Sequence, residues 1–557
     1  MPERIFIGVA WPYANSSLHL GHVAGAYLPA DILARYHRLK GNHVLMVSGS
    51  DQHGTPITVR AEEEKITPQQ VVDRYQPEFL DCWRRLGITF DIFTHTRTQN
   101  HERTVHEIFL RLLEKGLIYK KTMSMPYSTV SKRFLPDRYV EGTCPNCGKP
   151  GARGDQCDNC GKTLDPKDLK DIRSKIAGDV PEFRDTEHFF FKLSAFERPL
   201  AEWVAKQDHW RPNVKNFTAN YLKDGLIDRA ITRDLDWGVP VPVPGFENKR
   251  IYVWFEAVIG YLSSTKEWAQ ASGKPEAWRD YWYGDVKPYY FLGKDNIPFH
   301  TIIWPAMLMA FDAQMKLPYD VPANEFLNLE GMKFSKSRNW AVWLKDFLDR
   351  FDPDPLRYVL SINMPETADT DFSWKEFLRR NNDELVATYG NLVNRVLSFT
   401  YRSFDGHIPE NVDPSKLGES SKALIAQAER TFNEVGHALA NCKFKDGIRM
   451  AMELARNSNR YLEEQSPWKS IKTDRQSAAN ALWTGAQIIS CLKTVLYPYM
   501  PFTSAKVHDY LGFSGTIESA GWVFQRPAAG QKLNQPAPLF AKLDEEAVAK
   551  EMAAARS

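Results

Sequence analysis

This chain of 557 residues is short of three things: cysteine, long hydrophobic runs and net charge. Seven cysteines are too few for a disulfide framework in a chain of this length. The stretch closest to a membrane span, residues 301–311 (TIIWPAMLMAF), is broken by Pro305 and falls short of the about 18 apolar residues that a span needs. The opening MPERIFIGVAWPYAN has a brief apolar run and no small-residue cleavage site, so it reads as a strand and not as a signal peptide. These absences imply a reducing, cytoplasmic setting with no membrane partner. With 71 basic and 69 acidic residues, the net charge of +2 neither announces nor excludes nucleic acid. Any such interface must be a local patch.

What is present is an ordinary globular composition, enough for about three to four domains. Residues 5–11 (IFIGVAW) form a buried-strand run, followed by the polar loop PYANSS. A helical pattern then carries Val23, Tyr27, Ala30 and Leu33, ending at Lys40-Gly41. Pro29 inside it predicts a kink. A second strand follows at 43–49, completing a βαβ unit. Further strand-like runs lie at 251–255 (IYVWF), 288–293 (PYYFLG) and 326–330 (FLNLE).

The pattern predicts an α/β fold. Its Rossmann-like parallel-sheet catalytic domain spans 1–115 and 231–340, interrupted by a zinc-bearing insertion at 116–230. A stem follows at 341–380, an α-helical bundle at 381–512 and a loop or tail at 513–557, whose last stretch reads as a solvated helix end. The bundle shows helical spacing at Leu385, Tyr389, Leu392, Val393 and Val396. From 381 onward the chain is nearly neutral, with 20 basic and 19 acidic residues.

Three motifs carry chemistry. His19-Leu20-Gly21-His22 opens the first helix just beyond the first strand, where open α/β sheets bind ligands. A helix start offers free N–H groups, Gly21 permits close approach, and two histidines can donate to phosphate. Lys333-Phe334-Ser335-Lys336-Ser337 follows another strand; two lysines and two hydroxyls on a loop suit a polyphosphate whose charge grows during reaction. Cys144-x2-Cys147-x9-Cys157-x2-Cys160 is the spacing of two metal knuckles, giving a closed four-thiolate site. Zinc is the expected ion and its role structural, because no ligand position is left open. Iron also suits such a site.

The first two motifs together resemble the HIGH and KMSKS signatures of class I aminoacyl-tRNA synthetases. PYANSSLHLGH (12–22), SDQHGTPI (50–57), YVWFEAVIGY (252–261), GKDNIPFH (293–300) and WPAML (304–308) are similar to the methionyl-tRNA synthetases, and the likeness runs over essentially the whole chain. Phe334 stands where that family usually has Met, Val258 where some members have Pro and Asn296 where some have Ile.

The resemblance implies ATP-dependent formation of methionyl-adenylate and transfer of methionine to tRNA(Met), initiator tRNA included, with Mg²⁺ accompanying ATP. His19, Gly21, His22, Lys333, Ser335, Lys336 and Ser337 would bind ATP; the two histidines and two lysines would act on its phosphates. Asp51 would pair with the methionine ammonium. Trp11, Tyr13, Trp254, Ala257, Val258, Tyr261, His300 and Trp304 would line the methionine pocket, where a tyrosine hydroxyl can donate to the sulfur. Arg233 would stand near both substrates, unless it serves as a structural ion pair. Asn391 and Arg395, four residues apart on one helical face, would read the anticodon with Trp468. A monomer is expected, because no appended oligonucleotide-binding fold follows the helical region.

Other readings fit less well. The Ile, Val and Leu synthetases carry a larger editing insertion, and the cysteine enzyme places its zinc in the amino-acid pocket. A small-molecule nucleotidylyltransferase has no need of the helical domain. A non-catalytic RNA-binding relative has no need of His19, His22, Asp51, Lys333 and Lys336 together.

Overall fold

The computed structural model describes residues 2–157, 159–160, 162, 164–334, 340–546, 548 and 551. The centre of the catalytic region is a four-stranded parallel sheet. Its order is Val286–Phe291, Arg4–Val9, His43–Ser50, Ile92–His95, so the two halves of the domain meet where the first strand pairs with Val286–Phe291. The two central strands are buried along most of their length, as in a parallel sheet covered on both faces. The carboxyl ends of the two central strands lead into the loop 10–18 and the segment 51–54, which sit side by side. Asp51 donates its N–H to the Pro12 carbonyl (2.8 Å) and accepts from the Ala14 N–H (2.9 Å).

Several sequence expectations are corrected. The strand Ile92–His95 was not read, being short and only partly buried. The run at 251–255 is not a strand: a two-residue strand, Arg250–Ile251, gives way to the helix Val253–Ala271, whose buried residues lie on all sides. A helix apolar all round shows no periodicity to distinguish it from a buried strand. Leu327–Leu329 is a strand, but of a separate sheet with Met332–Lys333 and Thr370–Phe372. At Pro29 the backbone widens into a π-turn over Val23–Tyr27, and the helix Leu28–Leu39 carries Pro29 in its first turn.

The insertion is built on a long antiparallel pair, Ile118–Ser128 with Glu182–Phe191, plus a small three-stranded sheet beside the cysteines. Three helices of 22 residues, Glu419–Ala440, Phe444–Gln465 and Arg475–Leu496, form the C-terminal bundle. A buried charge cluster welds it to the catalytic region. Arg357, fully buried, donates to Asp31 (2.7 Å) and to the carbonyls of Leu86, Pro498 and Tyr499; Arg35 adds a second pair to Asp31 (2.8 Å). Removing one member of such a cluster strands a buried charge. The segment after 513 is irregular yet closely held: Trp522 donates its N–H to the Leu39 carbonyl (2.7 Å), and Ser490 donates to the Gln525 carbonyl. The final stretch is not simply solvated, because Val548 and Glu551 are buried and Glu551 pairs with Arg350.

Candidate active site

The histidine motif forms a short helix, Leu20–His22, with His19 in extended conformation at its cap. The His19 N–H donates to Nδ1 of His22 (3.0 Å). A ring nitrogen that accepts carries no proton, which leaves the ring hydrogen of His22 on Nε2. The two imidazoles stack, centroids 3.7 Å apart. A methyl group on Gly21 would meet the His19 ring at 3.0 Å, so a larger residue would push that ring out of its stack.

The second signature reaches the same place. Phe334 stacks on the other side of His19, ring centroids 4.7 Å apart and planes within 7°. Beyond the signature, Val342 accepts the Leu20 N–H (3.1 Å) and Leu344 donates to the Leu18 carbonyl (2.7 Å). Both flanks of the lysine loop thus pack on residues 18–20. Lys333 is exposed, its ammonium 4.9 Å from the Phe326 ring centroid. Ser335, Lys336 and Ser337 lie outside the described residues.

The loop leading to His19 also borders the expected methionine pocket. Trp11 is wedged between Gly49 and Gly260; a Cβ at either would approach its indole within 2.8 Å. Tyr13 meets Trp254 edge-on at 6.1 Å, and Trp254 stacks on Phe299 at 4.4 Å. Ala257, Val258 and Tyr261 follow Trp254 on the same helix. His300 Nδ1 donates to the Asn296 carbonyl (2.9 Å), an acceptor with no hydrogen of its own, so Nε2 must accept from the Tyr261 hydroxyl (2.7 Å). Burial pulls the His300 imidazole down to about 4, which keeps it neutral. Tyr261 therefore spends its hydrogen on His300 and presents lone pairs elsewhere; the expectation of a tyrosine donating to sulfur does not hold for Tyr261. Trp304 sits deeper, fully buried, donating to the Tyr290 hydroxyl (3.1 Å) and packed edge-on against Trp282.

Asp51 is buried at the end of the second strand. Burial, then the nearby Glu256 carboxylate, raises its carboxyl well above the ordinary range, against the His53 backbone N–H and Arg138. Glu256 and its histidines were missed in the sequence. Burial pushes the Glu256 carboxyl up, but His53, whose Nδ1 lies 2.9 Å away, and His101 outweigh it and hold it below its usual value. A signal existed: a lone carboxylate inside the apolar run VWFEAVIG must find partners. Arg233 forms an ion pair with Asp137 (3.1 Å), stacks over Tyr252 (3.8 Å) and donates to two backbone carbonyls.

Far from this cleft, Arg395 lies over the Trp468 ring at 4.2 Å and 3.8 Å from Glu463. Asn391 opens a three-residue α-turn, and Arg395 falls in a π-turn, Asn394–Ser398, so their relative angle is not the one that regular helical spacing predicts. In the insertion, the four cysteine sulfurs all lie within 4.8 Å of one another. The pairs Cys144–Cys160 and Cys147–Cys157 are 3.9 and 3.7 Å apart. Four sulfurs about 2.3 Å from one zinc stand about 3.8 Å apart, so the cluster fits a structural zinc site. Asn146 and Asn159 donate across the knuckles to Cys160 and Cys147 (3.6 Å each). The Lys162 backbone N–H and then Asn146 bring the Cys160 thiol down to about 6, toward the thiolate a metal needs.

Residues 5–397 match the family model of class I tRNA synthetases of the methionine group. Residues 409–555 match the anticodon binding domain of methionyl tRNA ligase. The methionine–tRNA ligase of Dehalococcoides mccartyi strain CBDB1 is 59% identical over 557 residues, covering 99% of both chains. That of Thermomicrobium roseum is 51% identical, covering 99% of this chain and 98% of its own. The Mycobacterium tuberculosis methionyl-tRNA synthetase bound by methionyl-adenylate superposes with a TM-score of 0.81 at 25% identity, over 97% of this chain and all of that one.

Fold and signatures define a class I aminoacyl-tRNA synthetase. Within that class the chain belongs to the methionine–tRNA ligase family. It activates L-methionine with ATP and transfers it to tRNA(Met). Among the described residues no helix is long and apolar enough to cross a membrane.

Proposed function

We propose that the cleft between the histidine helix and the lysine loop holds the ATP triphosphate as its Mg²⁺ complex, and that the loop 10–18 places methionine beside it. The observation that carries this reading is the stack of Phe334 on His19, which joins the two signatures. Asp51 takes the methionine ammonium: a carboxylate so poorly disposed to ionise alone gains most from a cation. The aromatic set from Trp11 to Trp304 encloses the thioether, whose polarizable sulfur favours ring contacts. Arg233 orders the floor through Asp137 and Tyr252.

A methionine carboxylate oxygen attacks the α-phosphorus; its bond to the β-phosphate oxygen breaks, and pyrophosphate leaves. A ribose hydroxyl of the terminal adenosine then attacks the acyl carbonyl, expelling AMP. The protein orients the reactants and stabilises charge. Nε2–H of His22 and the Gly21 backbone face phosphate oxygens; Lys333 and Lys336, with Ser335 and Ser337, receive the departing pyrophosphate. Anticodon bases stack against the Arg395–Trp468 pair, with Asn391 at its side. His22→Gln lowers kcat for methionine-dependent ATP–pyrophosphate exchange about 100- to 1000-fold and leaves the methionine KM unchanged. A parallel loss of methionine affinity would sink this assignment.

Cys144, Cys147, Cys157 and Cys160 would hold one zinc ion, which would organise the insertion and take no part in the reaction. Chelation should expose residues 140–175 to protease with the ATP KM unchanged. Unaltered cleavage after full metal loss rejects the assignment.

A further inference from the structure

Pro29 has no N–H to give, and the π-turn before it sends the Leu28 N–H to the Val23 carbonyl. The Ala24 carbonyl, two residues past His22, would look to Pro29 in π register and finds nothing. Nδ2 of Asn324 supplies the missing donor at 2.8 Å. Asn324 is fully buried and anchored on both backbone sides: its N–H donates to Leu292 (3.0 Å), and its carbonyl accepts from Lys294 (2.9 Å). Its Oδ1 accepts from Nη1 of Arg211 at 2.6 Å. The other arm of that guanidinium, Nη2, donates to the Cys442 carbonyl at 2.8 Å. Cys442 lies in the tight turn joining helices Glu419–Ala440 and Phe444–Gln465, in left-handed conformation (φ +53°).

A continuous run of hydrogen bonds therefore links the C-terminal bundle, through Arg211 of the insertion and Asn324 beside the end of the edge strand Val286–Phe291, to the backbone of the turn that directly follows the histidine helix. We infer that Arg211 and Asn324 are positioning residues that tie the setting of the His19–His22 helix to the 441–443 turn of the C-terminal domain. Displacement of that turn when the bundle engages tRNA is thereby felt at the ATP phosphates. Only a planar fork can bridge an amide and a carbonyl on two domains at once; a lysine ammonium of equal charge cannot keep both contacts in this geometry. The inference rests on the reading that the two histidines act on ATP.

Two conservative variants cut the line at different points. Asn324→Asp still accepts from Arg211 but has no hydrogen for Ala24. Arg211→Lys keeps the charge and loses the bridge. With the full-length protein, charging of whole tRNA(Met) is measured against charging of its acceptor-stem minihelix, which cannot reach the bundle. The kcat/KM ratio of the two substrates should fall about fivefold in each variant. It should fall no further in the double variant, because both residues act along one line. Asn324→Asp should also lower kcat for pyrophosphate exchange about tenfold with the methionine KM within twofold. An unchanged substrate ratio in variants that melt with the parent overturns the inference. So do additive losses in the double variant, or losses that track melting temperature in Arg211→Ala and Arg211→Lys alike. If His19→Ala leaves pyrophosphate exchange intact, the reading of the histidine helix falls instead, a failure told apart because it involves neither relay residue.

Discussion

The two ends of the proposed cleft, one for methionine and one for phosphate, are built on opposite principles. At the methionine end, Tyr261, His300 and Trp304 are buried, and a chain from the Asn296 carbonyl to the Tyr261 hydroxyl fixes the hydrogens of Tyr261 and His300. At the phosphate end, His19, His22 and Phe334 are half-buried, and Met332 and Lys333 are exposed. A neutral thioether offers little to grip, so its end must be preorganised by packing. A triphosphate carries its own charge, and donors on a partly open surface suffice to hold it while leaving a way out for pyrophosphate.

This contrast breaks most sharply at Asp51. Asp51→Asn should raise the methionine KM by about 30-fold to several thousand-fold, the roughly 2–5 kcal/mol of a severed buried charge pair, and leave the ATP KM nearly unchanged. The same residue gives a stability signature of opposite sign. A carboxyl whose pKa is raised by folding keeps a proton that the unfolded chain releases, so the ligand-free protein loses stability as pH rises above the ordinary carboxylate range. Asp51→Asn should remove its share of that slope, leaving that of Asp137, Asp320 and Asp354, and melt higher than the parent near neutral pH. A lower melting temperature, measured without methionine, would refute the account.

Tyr261→Phe is the next cut. It leaves the His300 Nε2 acceptor unpaired in a buried site, at a cost of about 1–3 kcal/mol. A methionine KM raised by about 5- to 100-fold should result, with ATP binding spared. Because His300 titrates near 4, its ionisation should put no inflection in the methionine KM between about pH 6 and 8. A clear inflection there that disappears in a His300 variant would overturn the neutral assignment.

The smallest effect sharpens the comparison from the phosphate side. Phe334→Leu removes a ring stack worth about 0.5–1.5 kcal/mol. It should slow pyrophosphate exchange about 2- to 10-fold through kcat, with the methionine KM constant. A shift in methionine KM instead would mean that the two ends are not separable.

Much of this was legible in the chain. The knuckle spacing of the cysteines, the paired signatures and the Asp51 segment announce themselves because each is local: a short stretch carries both the turn residues and the reactive groups. Other elements were not. Residues 251–255 read as a strand because an entirely buried helix and a buried strand are equally apolar over five residues. The π-turn before Pro29 went unread because the remedy for its missing N–H, Asn324, lies nearly three hundred residues away. Glu256 passed unnoticed because its histidine partners come from two other segments.

Residue order alone was enough to place a histidine-bearing helix start after the first strand and to bring four cysteines into one cluster, since backbone turns and side-chain chemistry at fixed spacing leave few alternatives. It could not decide which carboxyl stays protonated, which nitrogen of His22 or His300 carries hydrogen, or that one arginine spans three regions. Those properties depend on burial and on partners brought from remote parts of the chain, and burial exists only once the molecule has folded.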